Sequence, residues 1–166
     1  MSRALGAPQH LTSEHDVSDF DSGVPELDHW LKRRALQNEA SRASRTFVIV
    51  DDRRVIGYYA LATGAVTREA ATSRVRRNMP EPVPVMVLAR LAIDRRHQGA
   101  GLGADLLRDA LLRTLQAADI AGIRAVLLHA VSDEAKRFYV HHGFIESSLD
   151  PMTMMMTLAD IEKALG

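Results

Sequence analysis

The 166-residue sequence contains no cysteine, which excludes disulfides, cysteine-ligated zinc and catalysis by a thiolate. It contains no apolar run near the ~20 residues that span a bilayer, and its first residues lack the apolar core of a secretory signal. Charge of one sign is not in excess, because 21 Lys and Arg balance 21 Asp and Glu. We therefore expect one cytoplasmic domain over residues 1–166, long enough to bury a substantial core.

The charges are nevertheless distributed unevenly along the chain. Residues 1–28 hold one Arg against six Asp and Glu, whereas residues 29–79 hold eleven Lys and Arg against four Asp and Glu. One interpretation of the second segment is a solvated helix face followed by a basic loop. The other is a local basic surface that binds a polyanion.

Hydrophobic periodicity predicts an α+β fold with a mixed sheet. The predicted helices cover 13–20, 25 to near 40–44, 101–122, 133–142 and 159–165. The predicted strands cover 46–50, 55–61, 83–93, 125–130, 144–147 and 152–157. The first two strands read as an antiparallel hairpin, and the third and fourth, with the helix between them, read as a β-α-β unit. This order differs from that of a doubly wound α/β protein.

The most informative segment is LARLAIDRRHQGAGLGADLL, which starts at Leu88 and combines a strand, a basic turn, a Gly-rich loop and an amphipathic helix. Glycines let the backbone approach a ligand, and N–H groups at a helix N-terminus form a site for phosphate. A Walker loop is excluded because Gly103 is followed by Ala104 and not by Lys. A dinucleotide fingerprint fits poorly, since the glycines are spaced G-x-G-x-G and five residues separate them from the strand.

The pattern Arg96-x-x-Gly99-x-Gly101 closely resembles the pyrophosphate loop of the GNAT superfamily of N-acetyltransferases. The stretch from Leu127 to Phe144 resembles a second GNAT landmark, a strand and a capped helix that end in F-Y-x-x-x-G-F. The resemblance covers nearly the whole chain. It implies a mostly antiparallel sheet, flanked by helices, whose central parallel strands splay apart around the pantetheine arm of acetyl-CoA.

The resemblance also implies which residues bind acetyl-CoA. The strand residues offer backbone groups to pantetheine, and the loop residues offer backbone N–H groups to the pyrophosphate. The implied set is Leu91, Ala92, Ile93, Arg95, Arg96, Gln98, Gly99, Ala100, Gly101, Leu102, Gly103, Asp133 and Phe138. Arg95 and Arg96 either reach the phosphates, which match guanidinium geometry, or form an exposed basic turn.

Tyr139 is the expected general acid. Acetyl transfer from a thioester expels the CoA thiolate, and a phenol with a pKa of about 10 is protonated at neutral pH and can supply the proton. The alternative is a core tyrosine on an amphipathic helix. We expect no metal site, because the histidines near the motifs form no H-x₃-H pair on one helix face. Those histidines are His97, His129, His141 and His142.

Within the superfamily, four segments resemble the TacT/AtaT-like toxins of type II toxin–antitoxin operons. They are residues 20–31, 44–48, 57–61 and 85–93. That family acetylates the α-amino group of aminoacyl-tRNA, which blocks translation. The resemblance implies a charged tRNA substrate and a ribbon-helix-helix antitoxin, with DNA reached only through the antitoxin. It also allows a homodimer. The absence of a long apolar run predicts no membrane contact.

The residues themselves favour an aminoacyl ester over lysine as the acceptor. No Asp or Glu lies within 83–93, the strand expected beside the acetyl group. A lysine amine, with a pKa of about 10.4, usually needs a base, whereas an α-amino group has a pKa of about 7.7–8.0 and is partly neutral at working pH. Two other functions stay open: acetylation of a small amine or protein N-terminus, and acetyl-CoA binding without catalysis.

A tRNA substrate requires cations against its phosphates. The first choice is Arg74, Arg76 and Arg77, in the basic loop before the long strand. The second choice is Lys32, Arg33 and Arg34, on the second predicted helix.

Overall fold

The computed structural model of the protein describes residues 5–166. Within this range the strands are β1 (Gln9–His10), β2 (Arg45–Asp51), β3 (Arg54–Val66), β4 (Val83–Ile93), β5 (Ala125–His129), β6 (Ile145–Glu146) and β7 (Thr153–Thr157). The α-helices are α1 (Pro25–Arg33), α2 (Ala35–Ser41), α3 (Ser73–Arg76), α4 (Leu102–Ala118), α5 (Asp133–His141) and α6 (Leu158–Leu165). A 3₁₀ turn covers Arg95–His97. None of these helices has the length and apolar character to cross a bilayer.

The strands form one mixed sheet in the order β1-β2-β3-β4-β5-β7-β6. The pair β4–β5 is parallel, whereas β1–β2, β2–β3, β5–β7 and β6–β7 are antiparallel. This confirms the predicted α+β class with its hairpin and its single β-α-β unit. The chain divides into two compact units, one of residues up to Ala62 with Ala89–Ala110, the other of Thr63–Leu88 with Leu111–Gly166.

In the first unit, the loop before α1 is fastened to the helix that follows it. The Asp28 carboxylate accepts hydrogen bonds from the Ser22 backbone N–H at 3.0 Å and from the Ser22 hydroxyl at 2.6 Å. Pro25 occupies the first turn of α1, where a missing N–H costs nothing. At Arg34 the backbone φ is −121°, which ends α1, so the single predicted helix is two helices.

Aromatic side chains organise the core of the first unit. Trp30 stacks on Tyr58 with ring centroids 6.0 Å apart, and Phe20 meets the same ring edge-on at 5.6 Å. The Tyr58 hydroxyl donates a 2.6 Å hydrogen bond to the Leu27 carbonyl, which satisfies a buried polar group. These contacts fix α1 against β3.

The second unit is built around the parallel strand pair. Val85–Val87 of β4 are in register with Ala125–Leu127 of β5, and β5 pairs in turn with β7. Apolar side chains from these strands and from α3 form a buried cluster of Ala71, Val75, Val83, Val85, Ala125, Leu127 and Met155. The Arg124 guanidinium donates to the Val75 carbonyl at 3.0 Å and to the Arg74 carbonyl at 2.8 Å, which holds α3 in place.

The helix predicted at 13–20 is wrong. The Asp16 carboxylate accepts hydrogen bonds from the backbone N–H and the hydroxyl of Ser18, at 2.9 and 2.6 Å, and such local bonds compete with a helix. The backbone of Asp16 also bonds to Arg53 and Val55. The segment is therefore a loop fastened to the hairpin.

Candidate active site

A buried carboxylate organises the turn after β4. Asp94 has no exposed surface, and it accepts hydrogen bonds from the Arg96 guanidinium at 2.9 and 3.0 Å, from the Arg96 N–H at 3.0 Å and from the Asp21 N–H at 3.1 Å. The Arg96 guanidinium is the main reason that the pKa of the Asp94 carboxyl lies well below its usual range. Asp94 is therefore ionised and fully engaged at neutral pH, which makes it a poor general base.

Both arginines predicted to reach phosphates are engaged by carboxylates. Besides its pair with Asp94, Arg96 donates from Nη2 to the Asp19 carbonyl at 3.2 Å. Arg95 pairs with Asp21 at 2.9 Å in an exposed ion pair, a type that contributes little stability. Arg96 thus fastens the turn to the segment before α1. Contact between either guanidinium and a cofactor phosphate stays a prediction.

The Gly-rich loop presents backbone that a phosphate can approach. Gly99 and Gly101 have φ angles of +85° and +83°, a region that side chains with a Cβ rarely adopt. Apart from the glycine itself and its two chain neighbours, no heavy atom of the described residues lies within 4 Å of the place where a Cβ would stand at either position. The glycines are thus required by the backbone conformation, and the space beside them is open to a ligand.

The start of α4 adds backbone donors to this loop. The Asp105 N–H bonds to the Gly101 carbonyl at 3.2 Å, so the three N–H groups between them have no acceptor within the helix. The Gln98 side chain braces the loop by donating to the Ile93 carbonyl at 2.9 Å and to the Ser22 carbonyl at 3.0 Å. This arrangement suits a pyrophosphate, which helix N-termini bind through N–H groups.

Strand β4 continues beyond its parallel register with β5. The register ends at Val87, whereas the strand runs to Ile93. The Ala92 side chain is buried in the core of the first unit, and Leu91 and Ile93 are half-buried. The backbone predicted to meet pantetheine therefore lies outside the parallel ladder, and that contact stays a prediction.

Tyr139 lies in the second unit, buried on α5. Its ring packs edge-on against Phe138 and Phe144, with centroids 5.2 and 5.6 Å away. Burial raises the pKa of the phenol well above its usual range. Among residues 5–166, no group makes a hydrogen bond with its hydroxyl. The phenol is thus protonated at neutral pH with its O–H unengaged, as a general acid requires.

The other predicted residues of α5 occupy its first turn and its middle. Asp133 is exposed at the first helical position, after Ser132, whose hydroxyl caps the helix by accepting from the Ala135 N–H at 3.1 Å. Phe138 is half-buried between Tyr139 and His142, whose ring lies 4.7 Å from its own. Their role toward the cofactor stays a prediction.

The residues predicted to bind tRNA differ in whether their charged groups are paired within the protein or exposed. In the second unit, Arg74 makes a two-bond ion pair with Asp160, from Nε at 2.9 Å and from Nη2 at 2.6 Å. Arg76 is half-buried beside a cavity of about 400 Å³, and Arg77 is exposed. In the first unit, the three basic residues at the end of α1 are all exposed, namely Lys32, Arg33 and Arg34. Arg76 and Arg77 are therefore better candidates than Arg74 for an external phosphate.

Two features of the first unit were missed from the sequence. One is the buried Asp94, which looked like an ordinary turn residue. The other is Arg90 of β4, whose guanidinium carbon lies 4.3 Å from the centre of the Trp30 ring. The available signal was an arginine inside an apolar strand, because burying a charge is costly without a partner.

Comparison with known proteins identifies the family. The family model described as an acetyltransferase (GNAT) domain matches residues 42–146. The chain is 51% identical over 160 residues to a tRNA-acetylating toxin of Mycobacterium tuberculosis, covering 96% of both proteins. It is 30% identical over 167 residues to a probable toxin TacT of Sinorhizobium fredii, covering 93% of this chain and 91% of that protein.

Solved structures agree with this relationship. AtaT complexed with acetyl-methionyl-tRNAfMet superposes with a TM-score of 0.89 at 27% identity, over 98% of this chain and all of that one. AtaTR bound with AcCoA gives 0.80 at 26%, over 96% and 98%. A mutant AtaT toxin bound to the C-terminus of the antitoxin AtaR gives 0.83 at 26%, over 96% of each chain. The chain therefore belongs to the GNAT family of acetyltransferases and is a homologue of a tRNA-acetylating toxin.

Proposed function

We propose that the protein transfers the acetyl group of acetyl-CoA to the α-amino group of an aminoacyl-tRNA in the cytoplasm, which blocks translation. The observation that carries this proposal is the 51% identity to a tRNA-acetylating toxin over 96% of both proteins. Two separate observations support the chemistry: the backbone beside Gly99 and Gly101 has room for a phosphate, and the buried Tyr139 phenol is protonated at neutral pH.

The residues present fit acetyl-CoA. The open space beside Gly99 and Gly101 leaves room for a pyrophosphate, and the first turn of α4 supplies N–H donors. Arg96 holds this loop through Asp94, and its Nη1 makes no hydrogen bond within residues 5–166. When bound, acetyl-CoA supplies the thioester whose acyl group is transferred.

In the proposed reaction, the neutral α-amino nitrogen attacks the thioester carbonyl carbon. A C–N bond forms, the C–S bond breaks, and the sulfur leaves with the electron pair. Tyr139 gives its phenolic proton to that sulfur and regains one from the acceptor nitrogen through water. No protein base is invoked, because the Asp94 carboxylate is held by Arg96 and the α-amino group of an aminoacyl ester is already partly neutral at working pH.

We also propose the wider context of this activity. A single acetyltransferase domain over residues 1–166 is supported by the family model, which matches residues of both units. An antitoxin partner that neutralises the protein is supported by the complex of AtaT with the C-terminus of AtaR. The ribbon-helix-helix fold of this antitoxin and its contact with DNA are proposed from the family resemblance alone. A homodimer is proposed from the family resemblance alone.

The experiment that tests the chemistry replaces Tyr139 with Phe, which deletes one oxygen and keeps the ring. We expect kcat for acetylation of charged tRNA to fall by ~10²–10⁴-fold, with acetyl-CoA affinity unchanged. The matched control is Tyr59→Phe, which removes the hydroxyl of another buried tyrosine that donates to Asp109. It is expected to lose about 1 kcal/mol of stability and to keep its kcat.

Full activity of Tyr139→Phe would contradict the role of Tyr139, since water or another group would then protonate the thiolate. Equal losses of kcat in both tyrosine variants would mean that the hydroxyls act through folding and not through proton transfer.

A further inference from the structure

Arg90 lies in a half-buried position, where an unpaired charge is energetically unfavourable. It follows Ala89 on β4 and shares a strand face with Ala92, two residues on, whose side chain is buried in the core with Trp30 and Tyr58. Its guanidinium carbon lies 4.3 Å from the Trp30 ring centre, so the cation rests on the aromatic face. Desolvation in this half-buried position lowers the pKa of Arg90.

Nothing in the described part of the chain neutralises this cation. Arg90 makes no ion pair and donates no hydrogen bond within residues 5–166. The polar groups around Trp30 are committed elsewhere, because the Asp28 carboxylate accepts from Ser22 and the Tyr58 hydroxyl donates to the Leu27 carbonyl. Removing a charge from water is unfavourable without a counter-charge, so the absence of one among the described residues points to an external anion.

We propose that Arg90, in contact with the face of the Trp30 ring, binds the backbone phosphate nearest to the aminoacylated 3′ end of the tRNA substrate. This inference rests on the proposed function. A guanidinium in contact with an aromatic face keeps N–H donors, and two of them match a phosphate with two parallel hydrogen bonds. The aromatic contact already restricts the Arg90 side chain, so phosphate binding loses less conformational entropy and the site is preorganised.

The position along β4 explains why this phosphate lies beside the reacting ester. Arg90 directly precedes Leu91–Ile93, the backbone stretch proposed to hold the pantetheine arm, and neighbouring strand residues are only about 3.3 Å apart. The acceptor amine must reach the acetyl group at the end of that arm. In a charged tRNA, the phosphate closest to the amine is one nucleoside away. A free amino-acid ester has the same amine and no phosphate.

The test compares Arg90→Gln with two acceptors, a charged tRNA and the ethyl ester of the same amino acid. We expect KM for charged tRNA to rise by ~10-fold and its salt slope to fall by about one, as for one lost phosphate contact. KM for the ester and the affinity for acetyl-CoA are expected to stay at the parental values. Arg90→Lys keeps the charge and loses the planar guanidinium. Its KM for charged tRNA is expected to lie between those of the parent and Arg90→Gln.

Arg54→Gln is the matched control, because this exposed arginine is the first residue of β3. It is expected to behave as the parent with both acceptors. The melting temperature of Arg90→Gln is expected not to fall, since the substitution removes a desolvated charge that lacks a protein partner. A lower melting temperature would mean that Arg90 acts in folding, and the proposal would be wrong.

Other outcomes also overturn the proposal. Equal losses with both acceptors would place Arg90 at acetyl-CoA or at the amine. Parental kinetics of Arg90→Gln and Arg90→Lys with charged tRNA would show that no phosphate binds there. If the parent acetylates the ester and ignores charged tRNA, the proposed function fails first, and the phosphate site fails with it.

Discussion

At the scale of single residues, the turn after β4 depends on one carboxylate. Asp94 ties together its own strand, the 3₁₀ turn and the segment before α1, because its donors come from Arg96 and Asp21. The ion pair between Arg95 and Asp21 involves the same turn and differs from the Asp94–Arg96 pair chiefly because it is exposed. The two pairs therefore allow a controlled comparison.

Asp94→Asn is expected to lower the free energy of unfolding by about 1–3 kcal/mol at pH 7, because charge-assisted hydrogen bonds to a buried group are lost. Asp21→Asn, the exposed control, is expected to cost less than about 1 kcal/mol. The folded pKa of Asp94 lies below its unfolded value, so its stabilisation is present above pH ~4 and is lost as pH falls through the folded pKa. Chemical denaturation of the parent and both variants across pH measures this.

The difference between Asp94→Asn and the parent should accordingly shrink at acid pH. A difference that stays constant between pH 7 and pH 3, or an equal loss in Asp21→Asn, would mean that Asp94 does not stabilise the turn through its charge.

At the scale of elements, the Gly-rich loop and α4 form the clearest functional unit in the chain. Gly99 and Gly101 have open space at the Cβ position and a positive φ, so they serve the backbone conformation and the ligand space. Gly122, in the loop after α4, also has open space around it but no left-handed φ. Gly122 is exposed like Gly101 and lies outside the proposed site, so it serves as the control position.

Gly101→Asp is expected to abolish the rise in melting temperature that acetyl-CoA produces, because it puts a carboxylate where the pyrophosphate is proposed to bind. The left-handed φ of +83° adds a strain of about 1–2 kcal/mol to the apo protein. Gly122→Asp is expected to keep the full thermal shift. Differential scanning fluorimetry with and without acetyl-CoA distinguishes the two, and an unchanged shift in Gly101→Asp would remove the loop from the cofactor site.

The elements that the sequence predicted well are those with a long, regular pattern. Strand β4 has the predicted bounds of Val83 and Ile93, and α4 has the expected apolar face. The loop at 13–20 was mispredicted because helix periodicity takes no account of an Asp16 carboxylate that bonds to its own neighbour. The contacts of Asp94 with Asp21 and of Arg90 with Trp30 were unpredictable for another reason: in each, the partner comes from a segment more than 50 residues away.

At the scale of the whole molecule, the balanced net charge conceals an uneven surface. Arg74 is neutralised by Asp160, so the basic loop offers fewer free charges than the sequence count of residues 29–79 implies. Arg76 and Arg77 remain, together with the exposed end of α1. Binding of tRNA through these residues is an electrostatic property and therefore depends on salt.

The double variant Arg76→Ala with Arg77→Ala is expected to raise KM for charged tRNA and to lower its salt slope by about one to two, one for each phosphate contact. Acetyl-CoA binding is expected to be unchanged. Arg53→Ala with Arg54→Ala removes the same charge from the turn before β3 and from its first residue, and it serves as the control. Steady-state kinetics across a salt series give both slopes, and equal slopes for the two double variants would exclude a specific role of the basic loop.

The most direct test of the central claim incubates the protein with acetyl-CoA and charged tRNA, and then identifies the acetylated product by mass spectrometry after the ester is hydrolysed. The account predicts an amino acid acetylated on its α-amino group, no product from uncharged tRNA, and ~10²–10⁴-fold slower transfer by Tyr139→Phe. Transfer to a free small amine or a protein N-terminus, with charged tRNA untouched, would contradict the account. Binding of acetyl-CoA without transfer to any acceptor would contradict it as well.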